Sequence, residues 1–102
     1  MTRYIDLTNE QESMIVICAI RYSLGRNTYM PAHIIGLLKY RIDIMADNTL
    51  RIISRDISCF MEEQKRTQHK VASDIIRDWE SFKEDIDSEI NRRTENGNRT
   101  GT

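Results

Sequence analysis

Six apolar side chains in the second half of the chain, Val71, Ile75, Trp79, Phe82, Ile86 and Ile90, recur at spacings of 4, 4, 3, 4 and 4 residues. Steps of three and four return to one side of an α-helix, whereas a half-buried strand alternates every second residue. Two further stripes obey the same rule. One is Leu50, Ile53, Ile57, Phe60 and Met61; the other is Ile34, Ile35, Leu38, Ile42 and Met45, widened by Leu37 and Ile44. Only one Pro and four Gly interrupt 102 residues, which disfavours an all-β or low-complexity chain. A length near 100 supports one domain and one core. The expected fold is therefore all-α: a compact bundle of about four helices over residues 1–93. The polar, Gly-containing run from residue 94 to 102 is expected to be disordered.

Boundary residues refine this picture. Thr8-Asn9-Glu10-Gln11 fits a capping box, starting a first helix that runs to about Leu24, with Gly25 as its left-handed terminator. Met14 to Ile20 is apolar on every side of that helix, which predicts the central, most buried element. Pro31 suits the first position of a second helix, expected to reach Met45. Gly36 within it costs about 1 kcal/mol relative to Ala, so it predicts a close helix crossing. Asp47 or Asn48 can cap the third helix. Residues Glu62 to Lys70 carry no core residue, leaving open an exposed continuous helix or a frayed connection. Trp79 and Phe82 continue the fourth stripe and are expected in the core; as alternatives they anchor a partner or, at near-heptad spacing, a second copy. Dimerisation is a common source of stability for bundles of this size.

Composition excludes several function classes. Fifteen Lys and Arg against 16 Asp and Glu leave a net charge of −1, so the basic excess of a general nucleic-acid binder is missing. The start is polar, and the first apolar run is too short for a membrane span and lacks a basic lead or cleavage site. These features predict a cytoplasmic protein without membrane association, and make the Asn98-Arg99-Thr100 acceptor pattern a chance match. Cys18 and Cys59 lie in apolar company and are expected as small core residues. No phosphate loop, Cys-x-x-Cys, His-Glu-x-x-His or nucleophile elbow occurs. His33 and His69 lack ligand spacing to either Cys. Neither a metal, a cofactor nor an enzymatic activity is expected.

Two segments remain as candidate binding surfaces. Between Asp74 and Glu89 the chain has seven acids (Asp74, Asp78, Glu80, Glu84, Asp85, Asp87, Glu89) and two bases (Arg77, Lys83), a local net of −5. Such a face is either an ordinary solvated helix side or a docking surface for a basic partner, with Asp78, Glu84 and Asp85 as contacts. Arg21, Tyr22, Arg26 and Tyr29 cluster where the first helix turns into the second. Cations there either bond the last carbonyls and answer the helix dipole, or, with the two phenols, bind a phosphate or a carboxylate.

The motif Arg21-Tyr22-x-Leu24-Gly25-Arg26-x-Thr28-Tyr29 resembles R-Y-A-L-G-R-x-[ST]-Y, found in small, mostly uncharacterised proteins from phages and prophages of Gram-positive bacteria. Ile53-Ser54-Arg55-Asp56-Ile57 and Asp78-Trp79-Glu80-Ser81-Phe82 are similar to later elements of that family, so the resemblance spans roughly residues 10 to 86. Ser23, usually Ala, and Met30-Pro31-Ala32-His33 depart from its pattern. The resemblance implies a phage accessory protein acting on a host or defence component, and it supplies no catalytic residues. The resulting expectation is a non-enzymatic binder and inhibitor of a bacterial protein, anti-CRISPR-like in its target class. The alternative is a small nucleic-acid or nucleotide binder using Arg21, Arg26, Lys39, Arg41, Arg51 and Arg55.

Overall fold

The stripes are realised as helices. A computed structural model describes the backbone from Glu10 to Thr100, and the side chains from Glu10 to Glu95 other than Glu12. Among the described residues there are four α-helices and no strand: α1 (Glu10–Ser23), α2 (Met30–Leu38), α3 (Asp47–Arg66) and α4 (Ser73–Thr100), with a 3-10 segment at Lys39–Ile44 between α2 and α3. The core gathers Ile17 and Ile20 from α1, Ile35 and Leu38 from α2, Leu50, Ile53 and Ile57 from α3, and Trp79, Phe82 and Ile86 from α4. Trp79 and Phe82 pack edge-tilted, with ring centroids 6.3 Å apart. They are core residues, completely enclosed within one chain, so the fourth stripe is not free to anchor a partner or a second copy.

Several boundary readings hold. Gly25 ends α1 at φ +86°, a conformation that a side chain would strain. Leu24 N–H bonds Ile20 C=O and Arg26 N–H bonds Ser23 C=O, closing the helix end. Pro31 falls in the first turn of α2, where its missing N–H costs nothing. The stretch after Glu62 is not one continuous helix: α3 ends at Arg66, and a loop separates it from α4. In that loop Val71 N–H bonds Gln64 Oε1 at 3.0 Å, and Ala72 N–H reaches across to Asn27 Oδ1 at 3.2 Å. The last contact ties the α1–α2 turn to the start of α4.

Other readings are corrected. α1 is not the most buried element: Val16, Ile17 and Ile20 face inward, but Met14 and Ile15 are 48% and 59% exposed. The central position belongs to α4, which packs on α3, α2 and the 3-10 segment. Cys18 and Cys59 are exposed free thiols, because each lies on the solvent side of its helix. Gly36 marks no close crossing, since a Cβ built there meets nothing within 4 Å. The second helix stops at Leu38 and tightens into the 3-10 segment. Asp47 does not cap α3: Ala46 holds that position without a side-chain bond, and Asp47 instead pairs with Arg93 at 2.6 Å. The run from residue 94 to 100, expected to be disordered, continues α4 as helix, starting with a Thr94 hydroxyl that donates to Ile90 C=O. Elongation of an existing helix is easy compared with nucleation. The Thr8 capping box lies outside the described residues.

Arg93 organises the lower end of the bundle. Its guanidinium donates to Asp47 and Glu89 carboxylates and to the Ile42 and Asp43 carbonyls. Glu89 also takes two bonds from Arg92, at 3.0 and 2.5 Å. The Arg92 bonds, and then those from Arg93, outweigh the opposing effect of burial and hold the Glu89 carboxyl down to about 2, against an ordinary 4.5. A carboxylate whose pKa falls on folding stabilises the native state above its unfolded pKa, and that contribution disappears as protons bind the native form.

Two predictions follow from this geometry. Glu89→Gln is expected to flatten the loss of stability that the wild type shows as pH falls from 4.5 towards 2, measured by urea denaturation at a series of acid pH values. Gly36→Ala is expected to stabilise the protein by about 0.5–1 kcal/mol, whereas Gly25→Ala, forced into the left-handed region, destabilises it by about 1–2 kcal/mol. Urea midpoints of the two variants measure this opposite pair of effects.

Candidate functional site

The Arg/Tyr corner is divided by the fold into two environments. Arg21 points towards α3, where its Nε donates to Asp56 Oδ2 at 2.7 Å. That bond, reinforced by the charge of Asp56, raises the Arg21 pKa further above its ordinary value. Arg26 folds back over the end of α1, its Nε 3.3 Å from Tyr22 C=O and its guanidinium carbon 4.3 Å from the centre of the Tyr22 ring. Arg26 thus answers the carbonyls at the end of α1 as a cation there is expected to, whereas Arg21 is held by a carboxylate in the middle of α3.

The two phenols also border a cleft of their own. Tyr22 and Tyr29, 56% and 93% exposed, line an open cleft of about 750 Å³ with Ala19, Ser23, Thr28, Met30, His33 and Ile34. Its floor is made of small groups. Ser23 is buried because its hydroxyl bonds Ala19 C=O at 2.8 Å within α1. The Thr28 hydroxyl accepts the Met30 N–H at 3.2 Å, which sets the angle at which α2 departs. The cleft is predominantly apolar and holds no acid, Lys or Arg.

The acidic stretch forms the outer side of α4. Asp87 turns towards α3, accepting bonds from the Ser54 hydroxyl and Lys83 ammonium, both at 2.6 Å. Burial raises its pKa, but the Lys83 and Ser54 bonds outweigh that, leaving it below the ordinary carboxylate value. Glu89 is committed to Arg92 and Arg93. Asp78, Glu80, Glu84 and Asp85 are exposed and make no ion pair among the described residues. Asp78 and Asp85, seven residues apart, share one flank. Asp85 there lines a shallow cleft of about 400 Å³ with Lys39, Tyr40 and Asp43 of the 3-10 segment. Glu80 lies on the other flank, beside Met61 and Lys65 of α3, with Glu84 one turn further along. The four carboxylates are therefore spread over the solvent side of α4, and they do not meet the Arg/Tyr corner.

The six bases of the alternative reading are dispersed. Arg21 and Arg26 are engaged as described, Lys39 sits 5.0 Å from the centre of its neighbour Tyr40, and Arg51 and Arg55 project from α3. Among the described residues no three His, Cys, Asp or Glu side chains come together as metal ligands would. Among the described residues no helix is long and apolar enough to cross a membrane. Comparison with protein-family models, with curated proteins and with solved structures finds no match for this chain.

Residue patterning by itself overlooked Ile15, Met30, His33 and Leu37 as surface groups. A signal existed. A helix apolar around its whole circumference, in a chain with volume for only one small core, has more apolar surface than that core can take.

Proposed function

We propose that this protein acts by binding another protein through the solvent side of α4. The observation that carries this reading is the set of four exposed carboxylates, Asp78, Glu80, Glu84 and Asp85, that make no ion pair among the described residues. Like charges at i,i+4 disfavour the isolated helix by a few tenths of a kcal/mol each. Such a face is relieved by a basic partner, and long-range attraction would speed the encounter. The complementary partner class is a protein with a basic groove, such as one that handles nucleic acid. In that case the carboxylates compete with phosphates for the same cations.

The resemblance of Arg21 to Tyr29 to phage and prophage proteins supplies the biological setting: an accessory protein, non-enzymatic and without cofactor, that inhibits or redirects a bacterial host or defence protein in the cytoplasm, with a CRISPR nuclease as the target class.

The triple variant Asp78→Lys, Glu84→Lys, Asp85→Lys tests the reading, since all three side chains are exposed and their replacement leaves the core intact. Affinity capture from bacterial lysate with the wild type should retain a basic protein that the variant loses by at least about tenfold, equivalent to about 1.4 kcal/mol. Retention should also weaken as salt rises. Equal capture by the two proteins rejects the α4 surface. Binding of DNA or RNA by the wild type at low salt would favour the nucleic-acid alternative instead.

A further inference from the structure

The groove between α1 and α2 carries an inference independent of the acidic face. The cleft residues set the relation of the two helices. Ala19, Tyr22 and Ser23 of α1 line one cleft with Met30, His33 and Ile34 of α2, and the short connection from Leu24 to Tyr29 turns the chain back between these packed helices, so they run antiparallel. One turn further from the connecting loop, the same order brings Ile15 towards Leu37. Ile15, Tyr22, Met30 and Leu37 thus form the walls of a groove whose floor is Ala19, Ser23 and Ile34, and Met14 extends the α1 wall outward. Exposures of 59%, 56%, 40%, 61% and 48% for Ile15, Tyr22, Met30, Leu37 and Met14, and of 93% for Tyr29, mean that nothing in the described chain covers them.

We propose that this face is the interface of a symmetric homodimer, in which the α1–α2 pair of one chain packs on the α1–α2 pair of a second copy. Three observations select a second copy as the occupant. The first is charge. The nine residues of α2 include no acid, Lys or Arg; Arg21 is turned away to Asp56, and the one cation bordering the patch, Arg26, is held over the Tyr22 ring at its loop end. A two-fold axis places each patch against itself, and a patch whose only cation lies at its rim avoids the central like-charge opposition that would forbid this. The second is shape. Small groups form the groove floor and large side chains its rims, so a projecting rim on one chain has a matching groove on the other, as in helix packing generally. The third is area. Six large side chains exposed to this extent present apolar surface on the order of the ~800 Å² each partner gives to a standard-size interface. That exceeds what a small monomer ordinarily leaves bare. Tyr and Met are also the residue types enriched at interface centres.

Cys18 reports on this face without modification of the chain. It lies one turn from both Met14 and Tyr22 on the exposed side of α1, while Cys59 is exposed on α3 beside Arg21 and Asp56. Sedimentation equilibrium of the full chain should give a mass near twice 12.0 kDa at concentrations down to ~10 μM, an affinity usual for an interface of modest size. Thiol alkylation should be slower at Cys18 than at Cys59, by a factor that grows with protein concentration. Ile15→Asp and Leu37→Asp, both at positions more than half exposed, should each weaken dimerisation at least about tenfold and restore Cys18 reactivity, with helical circular dichroism unchanged. The proposal is overturned by a wild type that stays monomeric to ~100 μM, by a dimer that persists in both variants, or by protection of Cys59 instead of Cys18. Protection of Cys18 that does not depend on concentration overturns it as well, because the cover is then part of the same chain. None of these outcomes bears on the α4 carboxylates, which lie on a different element.

Discussion

Everything in this fold rests on the enclosure of one helix face, Trp79, Phe82 and Ile86 of α4, against Leu50, Ile53 and Ile57 of α3. Full burial of a large apolar side chain contributes about 1.5–3 kcal/mol, so six of them outweigh any polar contact in the structure. The two helices form an antiparallel pair on which α1, α2 and the 3-10 segment are laid. The Trp79 indole N–H is buried without an acceptor among the described residues. Its ring occupies the centre of the bundle for its volume, and the polar handle is a cost accepted there.

Ion pairs play a secondary and positional part. Arg21–Asp56 and Lys65–Glu62 are solvent-accessible, where a pair contributes little. Arg93 differs, since its side chain is only 22% exposed and it bonds two carbonyls as well as two carboxylates. It fastens the distal half of α4 to the junction of the 3-10 segment and α3. The carbonyls it takes lie in the last turn of the 3-10 segment, where Ile42 C=O also accepts the Met45 N–H, so the clasp holds the end of that segment against α4.

The helical stripes were legible because periodicity is a local property, and their main residues are buried or half-buried, whereas Leu37 and Ile44, which widened the second stripe, are exposed. Gly25 was legible for the same reason: a terminator acts within its own turn. The misread positions share a different character. Met14, Ile15 and Cys18 are as apolar as Val16, Ile17 and Ile20, and only the packing partners distinguish them. Asp47 has the chemistry of a cap, yet it serves a guanidinium 46 residues away. The Arg/Tyr corner was visible as a cluster in sequence, but in space only Arg26 and Tyr22 stay together, because successive residues on a helix diverge by about 100°. Arg21 and Tyr22 consequently face α3 and the α1–α2 groove respectively.

The sequence by itself determined that this chain is helical, where its main stripes and first helix terminator lie, and that its charge is uneven, with an acidic excess on the last helix. Those properties depend on spacing and composition, which are complete without a third dimension. The tertiary structure alone decided which apolar residues are core and which form an outer groove, and which charges are cancelled by a neighbour. Both are questions of contact between elements far apart in the chain. A small core has room for only some of the apolar side chains offered to it, and geometry selects among chemically equal candidates. That selection leaves α1 and α2 with an uncovered apolar face, and α4 with four carboxylates facing water.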